Sequence, residues 1–310
     1  MATITPNQSF ENDSAEQQEY RSLWGDVWRQ FRRHKGAVFG MSVLLAIVII
    51  VLIGPFIYTV DPGFLDITAT NQGPSLTHPL GTDNLGRDML AQVMAGGRIS
   101  LAVGVTAMLI SLTLGVSIGI GAGYFHFLDG PLMRLTDLFF ALPVLPLLLV
   151  ITMLFRDVLR EAFGPERGIF ILIVSVIGAT SWMQTARVVR GEVLSVKEQE
   201  FVTAATSIGT RPFRIILRHI FPNVLSPVMV AAALGIAAAI ITESALSFLG
   251  LGFPSDFPTW GRLLFDGKDF IALTPTRVIW PGLAISLTVL SVNFIGDGLR
   301  DALDPRLRGK

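Results

Sequence analysis

Six stretches of this chain are each long and apolar enough to cross a bilayer, and that property limits what it can fold into. A helical span needs about 20 apolar residues, and the candidates lie at 36–58, 99–123, 135–155, 168–189, 224–249 and 278–299. Lipid offers no hydrogen-bond partners to an open backbone, so each segment has to satisfy its own amides and carbonyls as an α-helix. The expectation is an all-α integral membrane protein with six transmembrane helices. Composition agrees: 51% of the residues are hydrophobic and only 15% are charged. The first stretch does not read as a cleavable signal peptide. It is longer than a signal's apolar region, follows a 35-residue tail, and lacks a small-residue cleavage site after Tyr58.

The same composition excludes several classes. A net charge of zero gives no footprint for nucleic acid. Without cysteine there is no disulfide, thiolate metal site or cysteine nucleophile. The four histidines (His34, His78, His126, His219) are scattered, and neither an HExxH pair nor a GxxxxGK[ST] phosphate loop occurs. We therefore expect no catalytic residue, no metal site and no cofactor, and no hydrolysis of ATP by this chain.

Orientation follows from Lys and Arg, which concentrate on the cytoplasmic side. With both termini inside, sixteen of the 24 basic residues fall in cytoplasmic segments and eight in outer ones. Residues 1–35 then form a cytoplasmic tail, acidic early and basic late. Within it Leu23, Trp24, Val27, Trp28 and Phe31 recur at helical spacing, the pattern of an amphipathic interfacial helix with its rings at headgroup level. Span one is 36–58, and a periplasmic loop covers 59–98. The core, 99–310, holds the other five spans and a cytoplasmic loop at 190–223.

Inside the spans, Ser111, Gly115, Gly119 and Gly123 stand four apart, as do Ala231, Gly235 and Ala239. Such ridges let helix backbones meet closely in lipid. Pro143 and Pro146 remove amide donors and should bend the third span. Glu243 is a carboxylate at membrane depth, either a pathway or gate residue or a structural partner for Arg98 or Arg262. Arg134 and Asp137 are one turn apart and should pair with each other or with a facing loop. Asp297, Arg300, Asp301, Asp304 and Arg308 should form a self-paired, solvated face.

The loop between the fourth and fifth spans is the most distinctive polar segment. It reads EFVTAATSIGTRPFRIILRHIFPN from Glu200 to Asn223. Ala204 and Ala205 are followed at Gly209 by a residue free to turn sharply, then by Arg211, Arg214 and Arg218, and the run stops at Pro222. Two further blocks stand out: HPLGTDNLGRD with GGRISLAVG between His78 and Gly104, and ESALSFLGLG with PTWG between Glu243 and Gly261. The chain ends on NFIGDGLRDALDPRLR, residues 293–308.

These four blocks, in this order, resemble the dipeptide and oligopeptide ABC importer permeases, in the C-type subunit of the pair. The loop is similar to that family's cytoplasmic coupling loop, with Thr203 at the pattern's Glu position, His219 at its Ile and Phe221 at its Leu. The resemblance implies the type I importer permease fold, N-in and C-in, in the bacterial cytoplasmic (inner) membrane. It implies four kinds of partner besides membrane lipids: a homologous second permease, two ATP-binding cassette subunits, a periplasmic or lipid-anchored solute-binding protein, and a peptide substrate. Thr203, Ala204, Ala205, Gly209, Arg211, Arg214 and Pro222 would carry the coupling contact. Nickel, opines or oligosaccharides are alternative cargoes on the same architecture. An ion-coupled carrier or an intramembrane enzyme fits less well, because one buried carboxylate is too few for either.

Overall fold

Helix starts and stops in this chain are set by residues that satisfy or remove backbone donors. The computed structural model describes residues 23–303. In order these form α1 (Leu23–Arg33), α2 (Lys35–Ile57), α3 (Met89–Tyr124), α4 (His126–Ala141), α5 (Val144–Phe163), α6 (Pro165–Lys197), α7 (Glu200–Ser207), α8 (Pro212–Ile215), α9 (Phe221–Phe248), α10 (Trp260–Gly267) and α11 (Thr276–Leu303). Among the described residues the sole β feature is an isolated bridge, Thr82 to Asp88. Among the described residues five segments are long and apolar enough to span alone, and α4 and α5, bent by 86°, pass the same test as a pair, which makes six if the pair counts as one span.

The bends and ends depart from simple hydropathy for local reasons. The third span, expected over 135–155, is two helices that break at Leu142 and Pro143. Pro143 pushes the residue before it out of the α region, and Leu142 duly sits at φ −76°, ψ 136°. Pro146 does not bend anything. It falls in the first turn of α5, where its missing amide would have been unpaired in any case.

The second span begins at Met89, ten residues inside the loop expected over 59–98. Asp88 accepts from Ala91 N at 2.8 Å as its N-cap. The fourth span runs on to Lys197, so residues 190–197 of the expected 190–223 loop belong to it. There Lys197 Nζ donates to Tyr124 O at 2.9 Å and closes the end of α3.

α3 is the central element, lying along α6 and also against α9, α2 and α4, while α11 joins α2 to α9. The α3–α6 seam rests on the glycine ridge. A Cβ on Gly115 would sit 2.7 Å from Thr185 Cβ, one on Gly119 2.7 Å from Ala186 O, and one on Gly123 2.7 Å from Val193 Cβ. Gly178 answers from α6, where a Cβ would lie 2.7 Å from Ile110 Cβ. The facing Thr185, Val189, Val193 and Ile110 side chains pack directly onto these glycine backbones. Ion pairs then clamp α4 to α6: Asp129 takes a bidentate contact from Arg190, with Nη2 to Oδ2 at 2.7 Å, and Asp137 pairs with Arg187 at 2.6 Å. Asp137 is therefore partnered across helices and not by Arg134, because one turn of its own helix is a poorer match than the long Arg187 lying over Phe140.

The interfacial segment is held by the protein on one face. Val27 and Phe31 of α1 bury against Ala37, Ile295 and Ala302, and Trp28 stays 57% exposed while stacking on Phe31. A Cβ on Gly298 would strike Ala37 Cβ at 2.2 Å, which shows how closely α11 meets this corner. Asp301 lies 3.6 Å from His34 and so is not self-paired on its own helix, since the α1–α2 corner brings the imidazole to it. Asp304 and Arg308 lie outside the described residues, as does residues 1–22 of the tail.

Gly119→Val should force α3 and α6 apart. Overpacking of this kind costs about 1–3 kcal/mol or more where the obstacle is backbone. Gly121→Ala, whose Cβ would stand 3.5 Å from Leu132 Cδ1, is the matched control. Thermal unfolding in detergent should show a lowered midpoint for the first variant and an unchanged one for the second.

Candidate functional site

Three groups of residues sit around this bundle. At one end the segments preceding α3 and flanking α10 form a lid. At the other end α7 and α8 form a polar loop. Between them lies an open cavity.

The lid is built by the HPLGTDNLGRD block, and nearly every residue in it has a structural task. Asp88 caps α3 with one carboxylate oxygen, and the other accepts from Tyr58 Oη at 2.7 Å and from His78 Nδ1 at 2.8 Å. Asp83 accepts from the amides of Leu85 and Arg87, from Arg87 Nε at 2.6 Å and from Gln92 Nε2 at 3.1 Å. Gly86, at φ +75°, rests so closely on the Asp66 backbone that any Cβ would overlap it. Burial alone would raise the Asp83 carboxyl, but the bonds from Gln92 and Arg87 and the Arg87 charge outweigh it and hold the group below the usual carboxylate range. Arg277 joins the lid to α11 by donating to Asn84 Oδ1 at 2.8 Å and to Asp266 O at 3.2 Å.

Beneath the lid is the buried carboxylate. Glu243 is fully buried and takes hydroxyl donors: Ser247 at 2.7 Å, Ser100 from α3 at 3.2 Å and Ser244 at 3.5 Å. Ser100 Oγ in turn accepts from Trp260 N at 3.2 Å, so the network ties α3, α9 and α10 into one joint. Trp260 itself lies over Gly97 and donates Nε1 to Val93 O at 2.9 Å. The alternative reading of Glu243 as a partner of Arg98 or Arg262 is not what the structure shows. Arg98 Nε donates to Val51 O at 3.0 Å, a carbonyl left without its helical donor because Pro55 has no N–H. Arg262 pairs with Asp266 at 2.8 Å.

The cavity, of about 700 Å³, is bounded by α3, α6, α9 and the end of α11. Its polar lining is Ser111, Ser181, Gln184, Thr185, Asn223 and Ser226, and at the loop end Glu192 and Arg300 flank it. Ala231, Gly235 and Ala239 line it as well, so the second small-residue ridge opens space where the first closes it. Glu243, Pro143 and Pro146 are not part of its wall. Sequence reasoning passed over Ser181, Gln184 and Asn223. The available signal was polar residues recurring every three or four positions inside an apolar span, the mark of one wetted helix face.

At the loop end, α7 terminates in a Schellman motif. Thr210 N donates to Ala205 O at 3.1 Å and Gly209 N to Thr206 O at 2.9 Å, with Gly209 at φ +79°. A Cβ on Gly209 would meet nothing within 4 Å, so its glycine is required by the backbone turn and not by crowding within this chain. The two alanines of the motif divide: Ala204 is exposed, whereas Ala205 is 7% exposed and packs with Val189, Val193, Ile215 and Ile220. After α8 the chain widens into one π turn, with Phe221 N donating to Ile216 O, ahead of Pro222, which cannot donate to the helix. Thr203, Arg211, Arg214 and Pro222 are all exposed, together with Ile208 (82%) and Phe213 (72%).

A bundle of long apolar helices around a hydroxyl- and amide-lined cavity is the architecture of a multi-pass membrane protein. Residues 111–309 match the family described as binding-protein-dependent transport system inner membrane component, and residues 22–74 match the N-terminal TM domain of oligopeptide transport permease C. The chain is 40% identical to the oligopeptide transport system permease protein OppC of Haemophilus influenzae, over 94% of this chain and 91% of that one. It is 36% identical to the dipeptide transport system permease protein DppC of Alkalihalophilus pseudofirmus, covering 93% and 91%. It is also 36% identical to the glutathione transport system permease protein GsiD of Pectobacterium atrosepticum, covering 93% of each. In fold it is similar to a chain of the inward-facing MetNI methionine ABC transporter, with a TM-score of 0.53 at 15% identity over 67% of this chain and 95% of that one. The chain thus belongs to the binding-protein-dependent transport system inner membrane components: it is a transport permease subunit of the inner membrane, not an enzyme.

The lid makes an acid-sensitivity prediction. A carboxyl whose folded pKa is depressed contributes stability above its unfolded value, about 3.9, and loses it as pH falls through the folded value. The Asp83 contribution should therefore be constant between pH 6 and 8, begin to fall near about pH 4 and be gone only below the folded value. Asp83→Asn should lower the unfolding midpoint at pH 7 and flatten that acid limb, read by thermal unfolding across pH.

Proposed function

We propose that this chain forms half of the translocation pathway of an ATP-driven importer of short peptides and docks its ATPases through the α7–α8 loop. The observation that carries the coupling role is the exposed face of that loop. Ile208 and Phe213 are exposed in a polar segment that also carries the exposed Arg211, Arg214 and Arg218. Large apolar side chains outside the lipid are costly to leave in water and mark a protein partner. The short helix α7 presents Thr203 and Ala204 on the same exposed side, while Ala205 holds the helix onto its own bundle. The partners are a homologous second permease across the open cavity, two ATP-binding cassette subunits at the loop, and a solute-binding protein at the lid. Peptide cargo is supported by relatives named for dipeptides, oligopeptides and glutathione.

ATP-driven closure of the ATPase pair would push on the loop and tilt α9 and α6 as rigid bodies, exchanging one packed arrangement for another. The bundle is suited to that, because α7 and α8 are held to α6 and α9 through the shared core of Val189, Val193, Val202, Ile215 and Val224. The basic excess on loop-side segments orients this end toward the cytoplasm.

Two experiments test the reading. Gly209→Asp keeps a residue type that tolerates positive φ yet adds a charge at the open tip, so the fold and membrane insertion should persist while co-purification of the ATPases and ATP-driven uptake fall tenfold or more. Gly209→Asn, without the charge, should lose much less, and Thr203→Glu should be tolerated. Normal transport by Gly209→Asp with its ATPases bound would falsify the coupling assignment. For orientation, cysteines at Lys197 and Lys268 in this cysteine-free chain should label from opposite sides of sealed cells. Labelling of both from outside would overturn the topology.

A further inference from the structure

The cavity wall carries its polar groups in a particular order. Along α6, Ser181, Gln184, Thr185, Val188 and Glu192 recur every three or four residues and line one opening. From Ser181 to Glu192 this stripe runs about 16 Å at the helical rise per residue, the reach of four to five extended residues. Facing it on α9 are Asn223 and Ser226. Three of these groups are already engaged or enclosed. Ser181 Oγ donates to Ile177 O at 2.7 Å, Asn223 Nδ2 donates to His219 O at 2.6 Å, and Thr185 is 8% exposed. Gln184 is exposed, and its amide has no hydrogen-bond partner among the described residues. It alone offers a long, uncommitted side chain carrying both donor and acceptor halfway along the stripe.

Charge is placed as deliberately as hydrogen bonding. The charged lining residues among those described are Glu192 and Arg300, of opposite sign and both at the loop-end mouth. The stretch above them has hydroxyls, amides and small aliphatic groups and no aromatic ring. A solute there meets hydrogen-bonding groups and no charged lining side chain.

Resting on the reading of the cavity as pathway, we infer that Gln184 is a specificity-determining residue of this permease, pairing with the backbone amides of a short zwitterionic solute while the neutrality of its position leaves the path indifferent to side-chain charge. An amide matches the donor–acceptor pattern of a peptide group in either direction, which a carboxylate or an ammonium cannot do. A fixed charge at this position would be felt by a charged side chain within about a nanometre, because a narrow cavity screens less than bulk water.

The test uses the complete transporter in cells and three labelled probes: Ala-Ala-Ala, Ala-Lys-Ala and Ala-Glu-Ala. Wild type should carry all three at similar rates. Gln184→Lys should lower Ala-Lys-Ala uptake about tenfold relative to Ala-Glu-Ala, on the order of 1.4 kcal/mol, and Gln184→Glu should reverse that order. Gln184→Met, which keeps length and removes hydrogen bonding, should slow all three alike. Membrane abundance and ATPase co-purification, measured in parallel, should match wild type. If the Lys and Glu variants are correctly assembled yet change all three probes equally, or none, the assignment of Gln184 fails while the pathway reading stands. If the wild-type transporter carries none of the three, peptide cargo fails and the inference with it.

Discussion

The rest of this structure depends on the glycines that let α3 and α6 pack directly against each other. At Gly115, Gly119 and Gly123 the two helix backbones approach until any added Cβ would meet a carbonyl or a Cβ within 3 Å. Lipid supplies no hydrophobic drive for helix association, so close contact and dispersion must supply it. With α3 and α6 locked as one unit, α9 leans on both and α4 is clamped to α6 by the Asp129–Arg190 and Asp137–Arg187 pairs. The cavity exists because α9 meets this rigid pair through small residues that do not fill the space between them.

The two ends of the bundle answer different demands. At the lid, the buried carboxylates are all matched. Asp83 and Asp88 each take several donors, Arg98 serves the carbonyl that Pro55 leaves open, and Glu243 is ringed by serines. Buried polar groups without partners cost several kcal/mol in apolar surroundings, so these bonds hold the lid to the bundle. The loop end is the opposite case. Ile208 and Phe213 are left exposed beside arginines, and the chain there alternates short helix, glycine turn and π turn. It is on this surface that the ATPase contact is proposed.

The block HPLGTDNLGRD illustrates how sequence motif and physical task can diverge. Its strongest letters, Asp83, Gly86 and Asp88, build the cap of α3 and the fold of the lid; none lines the cavity. Glu243 behaves similarly: a carboxylate at membrane depth suggested a pathway or an arginine partner, and the structure finds a serine-bonded joint. The residues that do line the cavity, Ser181, Gln184 and Asn223, carry no motif in the sequence.

What the sequence alone determined was the class: six apolar segments, in a bilayer, admit only helices, and four motifs in order identified the family. The glycine ridge and the glycine-terminated loop helix were also legible, because close approach and positive φ each demand a residue without Cβ. Tertiary structure decided the rest. Where α3 begins depends on Asp88, which caps a helix only once the lid brings Tyr58 and His78 to the same carboxylate. That Pro143 breaks its span and Pro146 does not follows from where the first turn of α5 falls, which hydropathy cannot see. That Ala205 faces inward while Ala204 faces out, and that one ridge closes a seam while the other opens a cavity, is set by which neighbours occupy the opposite side. Spacing along a chain specifies which residues share a face; only the packed helices specify what that face meets.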